Sequence, residues 1–193
     1  MAQWFAANGI TAAVLKYRMP NGHPEVPLED AERAVRILAG LEAGATGFTT
    51  DRVGIVGFSA GGHLAAMTST IARTKPAFAI LFYPVISGEA GIRHRGSFDN
   101  LLGADRSDSL TARYSLEKCV SAETPPTLLL LSDDDTVVPP ANSTRYYDAL
   151  KANGVKASMH IYPSGGHGWG IRDSFPYKEQ WQQAVLEWLK GLT

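Results

Sequence analysis

The stretch that most restricts how this chain can fold is Arg52-Val53-Gly54-Ile55-Val56-Gly57-Phe58-Ser59-Ala60-Gly61-Gly62-His63-Leu64-Ala65-Ala66. Val53 to Val56 is a short apolar run that reads as a buried strand, and Leu64-Ala65-Ala66-Met67 reads as the first turns of a helix. Between them lies Gly57-x-Ser59-x-Gly61. Turning straight from strand into helix demands a positive φ at Ser59, and glycines two positions either side remove the side chains that would collide there. The Ser59 hydroxyl is then lifted clear at the C-terminal end of the strand. The Ala60 N–H points to where an oxyanion would form, at a helix N-terminus that favours negative charge. A Gly-rich turn whose serine only caps the helix would use the same residue types, so the choice falls to what the rest of the chain supplies.

The remaining elements supply a sheet for that turn to sit on. Residues 2–8 read as the end of an amphipathic helix closed by Gly9. Thr11 to Tyr17 reads as a strand, 18–27 as a Pro/Gly loop, and Leu28 to Leu41 as a helix with apolar positions at 31, 34, 35, 38 and 41. Further strands are expected at 77–83, 127–131 and 157–162, and further helices at 60–73, 140–153 and 175–189. Residues 84–124, with short helices near 97–103 and 107–113, read as an insertion over one end of the sheet. Strands alternating with helices mean an α/β architecture, a mostly parallel sheet covered on both faces. At 193 residues the chain makes one domain, 1–193, large enough to bury a core. Its net charge of −1, with no run of Lys or Arg, argues against nucleic acid or an anionic membrane as partner. No apolar run approaches the length of a membrane span. The residues from Met1 lack the basic and apolar regions of a signal peptide. The single cysteine, Cys119, reads as a small half-buried residue.

A serine needs a base, and the base needs an acid to fix its tautomer. In a parallel sheet the loops after different strands converge at one edge. After strand 127–131 come Asp133, Asp134 and Asp135, and after strand 157–162 comes Gly165-Gly166-His167-Gly168-Trp169. Glycines on both sides of His167 suit a loop that must project one ring. The order serine, then an aspartate, then His167 is that expected of the α/β-hydrolase fold. His63 comes too early for that order and reads as packing or capping support. His23 and His94 fall in loops, and His160 falls within a strand. No two histidines have metal-ligand spacing, and Asp133–Asp135 lack the glycine of a calcium loop. Neither a metal nor a cofactor is expected.

With these motifs in place, the chain resembles small α/β-hydrolase esterases of the acetyl esterase and acetyl-xylan-esterase-like family. Leu15-Lys16-Tyr17-Arg18, Gly57 to Leu64, Asp135-Thr136-Val137-Val138-Pro139 and Tyr162 to Trp169 carry the resemblance, which spans nearly the whole chain. It selects Asp135 among the three acids, through D-x-x-V-P. It implies a serine ester hydrolase with Ser59 as nucleophile, His167 as base, Asp135 as its orienting acid and Ala60 in the oxyanion hole. The implied substrate is a small-molecule or oligosaccharide ester such as acetylated xylan. Trp169 and Tyr83 flank the expected site and are candidates to stack on a sugar ring, or equally to pack. One departure is that the His-Gly-Gly segment giving further oxyanion donors in such enzymes does not precede Ser59; Asn21-Gly22-His23 has the wrong order. The chain is therefore expected to be N-terminally truncated relative to the family. A sheet edge exposed in that way invites homo-oligomerisation. The resemblance implies a secreted or periplasmic location if a longer gene carries a signal peptide. Two other readings stand beside the esterase: a hydrolase fragment impaired in catalysis, and a serine peptidase of the prolyl-oligopeptidase type.

Overall fold

A computed structural model of the chain describes residues 1–42, 50, 52–104 and 106–192. Its elements are α1 (Ala2–Ala7), α2 (Glu25–Leu38), β1 (Gly54–Phe58), α3 (Ser59–Thr70), β2 (Phe78–Phe82), α4 (Arg95–Leu102), α5 (Asp108–Arg113), β3 (Thr127–Ser132), α6 (Ala141–Ala152), β4 (Ala157–Tyr162) and α7 (Lys178–Lys190). A 3-10 turn, Leu116–Lys118, follows α5. The strands lie in the order β1-β2-β3-β4, every pair parallel. Because all four strands point the same way, the loops that follow them open at one edge.

Period-two alternation divides the buried strands between two cores. Ala79, Leu81 and Leu129 face one side, where Ala31 of α2, Leu64 and Met67 of α3, and Tyr146 and Leu150 of α6 pack on them. Ile80, Phe82, Leu128 and Leu130 face the other, against Phe5 of α1 and Trp181 and Val185 of α7. Burial of side chains this size contributes about 1.5–3 kcal/mol each. Covering on both faces explains why β3 reads Leu-Leu-Leu-Leu rather than alternating with polar residues.

The segment after β2 packs through Phe98, Leu101 and Leu102 of α4 on the core shared by α2, α3 and α6. Asn142, fully buried at the start of α6, holds it there. Its Oδ1 accepts the N–H groups of Ile86 at 3.0 Å and Ser87 at 2.9 Å, and its Nδ2 donates to the Ile92 carbonyl at 2.8 Å.

The expected strand Thr11–Tyr17 is not formed. That segment has no ladder partner among the described residues, and Val14 is 82% exposed. Val14 and Leu15 instead line, together with Ile55 and Phe58 of β1, a cavity of about 640 Å³. Helix α2 starts three residues earlier than the periodicity suggests, at Glu25.

Candidate active site

Ser59 has φ +53°, the left-handed conformation that the strand-to-helix turn demanded. The glycines around it divide their work differently from the sequence pattern. A Cβ on Gly57 would lie 2.3 Å from the Gly61 carbonyl oxygen and 2.7 Å from the Ala65 Cβ, so that position must be glycine. A Cβ on Gly61 would meet only the Tyr17 hydroxyl, at an ordinary 3.7 Å. The second obligatory glycine is instead Gly62, where a Cβ would come within 2.8 Å of the Pro84 Cβ. Ala60 is exposed in the first turn of α3, where a helical N–H has no preceding acceptor.

Asp135 and His167 reach Ser59 from the loops after β3 and β4. Asp135 is 4% exposed. Its Oδ1 accepts the N–H groups of Val137 and Val138, each at 2.9 Å, while Oδ2 lies 2.6 Å from His167 Nδ1. A carboxylate there can only accept, so Nδ1 carries the proton and Nε2 is free to accept. Nε2 lies 2.7 Å from Ser59 Oγ. The neighbouring Asp134 fastens the two loops together, accepting from the N–H groups of Gly166 at 2.8 Å and Gly165 at 3.2 Å. Sequence reasoning gave Asp134 no task; the run of three acids was its only signal. Asp133 is exposed, with only its main-chain N–H engaged, on the Tyr162 carbonyl.

Tyr83 and Trp169 lie beside this row, but neither is available to stack on a ligand. Tyr83 is 4% exposed and Trp169 2%. The Trp169 Nε1–H donates to Ser132 Oγ at 2.9 Å, and its ring stacks on Phe175 at 4.0 Å. The Tyr83 hydroxyl accepts the Gly170 N–H at 2.9 Å, and burial pushes its pKa up to about 12. Both rings belong to the cluster between the sheet and α7 rather than to a sugar platform. Tyr83 also has φ +36°, a conformation that costs a non-glycine residue about 1–3 kcal/mol.

The Asn21-Gly22-His23 loop offers no donors to Ser59. The Gly22 N–H is spent on the Asn100 carbonyl and the His23 N–H on that of Pro20. His63 is buried, with Nε2 2.9 Å from the Tyr114 carbonyl. A carbonyl accepts, so His63 is the neutral Nε2–H tautomer, and burial lowers its pKa to about 4. Among the described residues no three His, Cys, Asp or Glu side chains come together as metal ligands would.

An arrangement in which a carboxylate orients an imidazole and the imidazole accepts from a strained serine can move a proton off that hydroxyl as it attacks an acyl carbon. Known proteins share the frame. Residues 25–193 match the model of the prolyl oligopeptidase family. An acetylxylan esterase of Xylanibacter ruminicola is 38% identical over 197 residues, 99% of this chain and 41% of the relative. The endo-1,4-beta-xylanase B of Butyrivibrio fibrisolvens is 33% identical over 186 residues, 86% of this chain and 29% of the relative. This chain therefore spans well under half the length of either. Among solved structures, the acetyl ester-xyloside bifunctional hydrolase of Caldicellulosiruptor lactoaceticus superposes with a TM-score of 0.89 at 36% identity, covering 99% of this chain and 75% of that one.

Proposed function

Since the chain belongs to the prolyl oligopeptidase family and has the α/β-hydrolase fold, we propose that it hydrolyses carboxylic esters, acetyl groups on xylan or related sugars above all. The observation that carries this reading is the line Ser59–His167–Asp135, with contacts of 2.7 and 2.6 Å. Similarity to an acetylxylan esterase supports the choice of ester over peptide.

Ser59 Oγ attacks the ester carbonyl as His167 Nε2 takes its proton. Asp135, fixed by two N–H groups, holds the imidazolium by its Nδ1–H. The carbonyl oxygen becomes an oxyanion facing the Ala60 N–H. Collapse expels the alcohol, which receives the proton from Nε2, and leaves an acetyl–Ser59 ester. Water, deprotonated by the same nitrogen, releases acetate and restores Ser59. The leaving alcohol must therefore face His167. A cavity of about 190 Å³ is lined by Ala60 together with Tyr17, Met67, Phe98 and Leu101.

Turnover of p-nitrophenyl acetate and of acetylated xylan, in the parent and in Ser59→Ala, tests this. Loss of Ser59 from a working triad costs roughly a millionfold in kcat, and equal rates in the two proteins would sink the reading. Peptide hydrolysis is the second reading, favoured by the family model over residues 25–193. Cleavage of a proline-containing peptide faster than of the acetyl ester would put it first.

A further inference from the structure

We propose that Tyr83 is a positioning residue for His167, anchoring the loop that carries the imidazole and packing against the imidazole ring. This rests on the reading of His167 as the general base.

Three contacts converge on Tyr83 and the residue two beyond it. The Tyr83 N–H donates to the Leu130 carbonyl in β3, the strand that delivers Asp135, at 2.7 Å. The Val85 N–H donates to the carbonyl of Ser59 itself at 3.1 Å. The Tyr83 hydroxyl accepts from Gly170 N–H at 2.9 Å, three residues past His167. The chain at Tyr83 is thereby tied to the nucleophile turn, the acid strand and the histidine loop at once. Its ring centre lies 4.7 Å from that of His167, with the planes at 61°.

The histidine loop is held by few side chains: besides Tyr83, Asp134 accepts from Gly165 and Gly166, and the buried Trp169 donates to Ser132 and stacks on Phe175. Gly165, Gly166, Gly168 and Gly170 all have positive φ, in a region where glycine carries no side chain to resist motion. On one flank Asp134 holds Gly165 and Gly166; on the other the Tyr83 hydroxyl holds Gly170. The hydroxyl has no acid–base part to play, because burial keeps it protonated far above neutral pH. A strained φ of +36° in a buried residue that packs against His167 is also what a position kept for geometry would show.

Tyr83→Phe keeps the ring and removes only the acceptor for Gly170. If the proposal holds, kcat on p-nitrophenyl acetate falls roughly 10- to 100-fold, as a small misplacement of a catalytic group does, while KM changes less than about twofold. The cycle with His167→Ala separates positioning from general structure. Tyr83→Phe should cost nothing further once His167 is gone. A parent-like kcat in Tyr83→Phe, or the same loss in both backgrounds, overturns the proposal. One readout does not depend on turnover. The low-field NMR signal of the short His167 Nδ1–H bond to Asp135, assigned by its disappearance in His167→Ala, should broaden or vanish in Tyr83→Phe. An unchanged signal refutes the positioning role even if the protein proves not to be an esterase. Turnover independent of Ser59 would fault the function instead.

Discussion

Asp135 has both carboxylate oxygens committed, one to two backbone N–H groups and the other to His167. Its two neighbours differ from it and from each other. Asp135→Asn keeps the shape but can present an amide N–H to Nδ1, which favours the tautomer with Nε2 protonated and unable to take the Ser59 proton. A loss on the order of 10⁴ in kcat is expected. Gly165 and Gly166 bond different oxygens of Asp134, so Asp134→Asn keeps an acceptor for one of them and Asp134→Ala for neither; kcat should fall in both, most in the alanine variant, by roughly tenfold. Asp133→Asn should match the parent. Steady-state rates for the four variants decide the matter; a crippling effect at Asp133 would move the acid two residues. The family resemblance selected Asp135 through D-x-x-V-P, and in the structure the backbone N–H groups of Val137 and Val138 fix its carboxylate.

At the scale of elements, α3 joins the nucleophile turn to the segment after β2 through His63. The contact is a neutral imidazole donating to the Tyr114 carbonyl, with the Phe98 ring edge-on at 5.6 Å and no charged side chain recorded against it. Burial holds this histidine's pKa near 4 against 6.5 in the unfolded chain. Between those values the unfolded chain binds a proton that the folded chain refuses. Stability from this group is therefore complete above pH 6.5 and is lost as pH falls toward 4, by up to on the order of 3 kcal/mol. His63→Gln can keep a donor to Tyr114 without titrating. Thermal melts between neutral pH and about pH 5 should show a steeper fall for the parent than for His63→Gln, and parallel slopes would remove His63 from the account. Elements with a strong local signature were legible in the sequence. β3 with its four leucines, the Gly57-x-Ser59 turn and the glycine-flanked His167 each carry their reason within a few residues. What was not legible depends on distant partners. Tyr83 and Trp169 look like ligand-stacking aromatics until Gly170 and Ser132 are seen to occupy their polar atoms. Gly62 matters only because Pro84 passes over it. Asn142 gives no sign, in a helix of mixed polarity, that it holds the segment after β2 at Ile86, Ser87 and Ile92.

For the molecule as a whole, the misread Thr11–Tyr17 is the most informative case, because its apolar pattern is that of a strand and only the ladder is missing. The outer edge of β1 has no strand beside it among the described residues, and the cavity of about 640 Å³ next to it is walled by Phe5, Leu15, Val35, Leu38, Val56 and Phe58. Val14, which lines the cavity, is 82% exposed. An open edge flanked by apolar side chains is a template for pairing with another copy, and among the described residues no charged side chain lines this cavity to oppose it. Concentration-dependent self-association is therefore expected, with sedimentation velocity showing a shift to larger species as the protein is raised toward about 100 μM. Val14→Lys places a charge on the exposed rim without touching Ser59, Asp135 or His167. It should move the distribution toward monomer and leave kcat on the acetyl ester within about twofold of the parent. A parent that sediments as monomer at every concentration would refute the pairing edge. Val14→Lys would then change neither quantity.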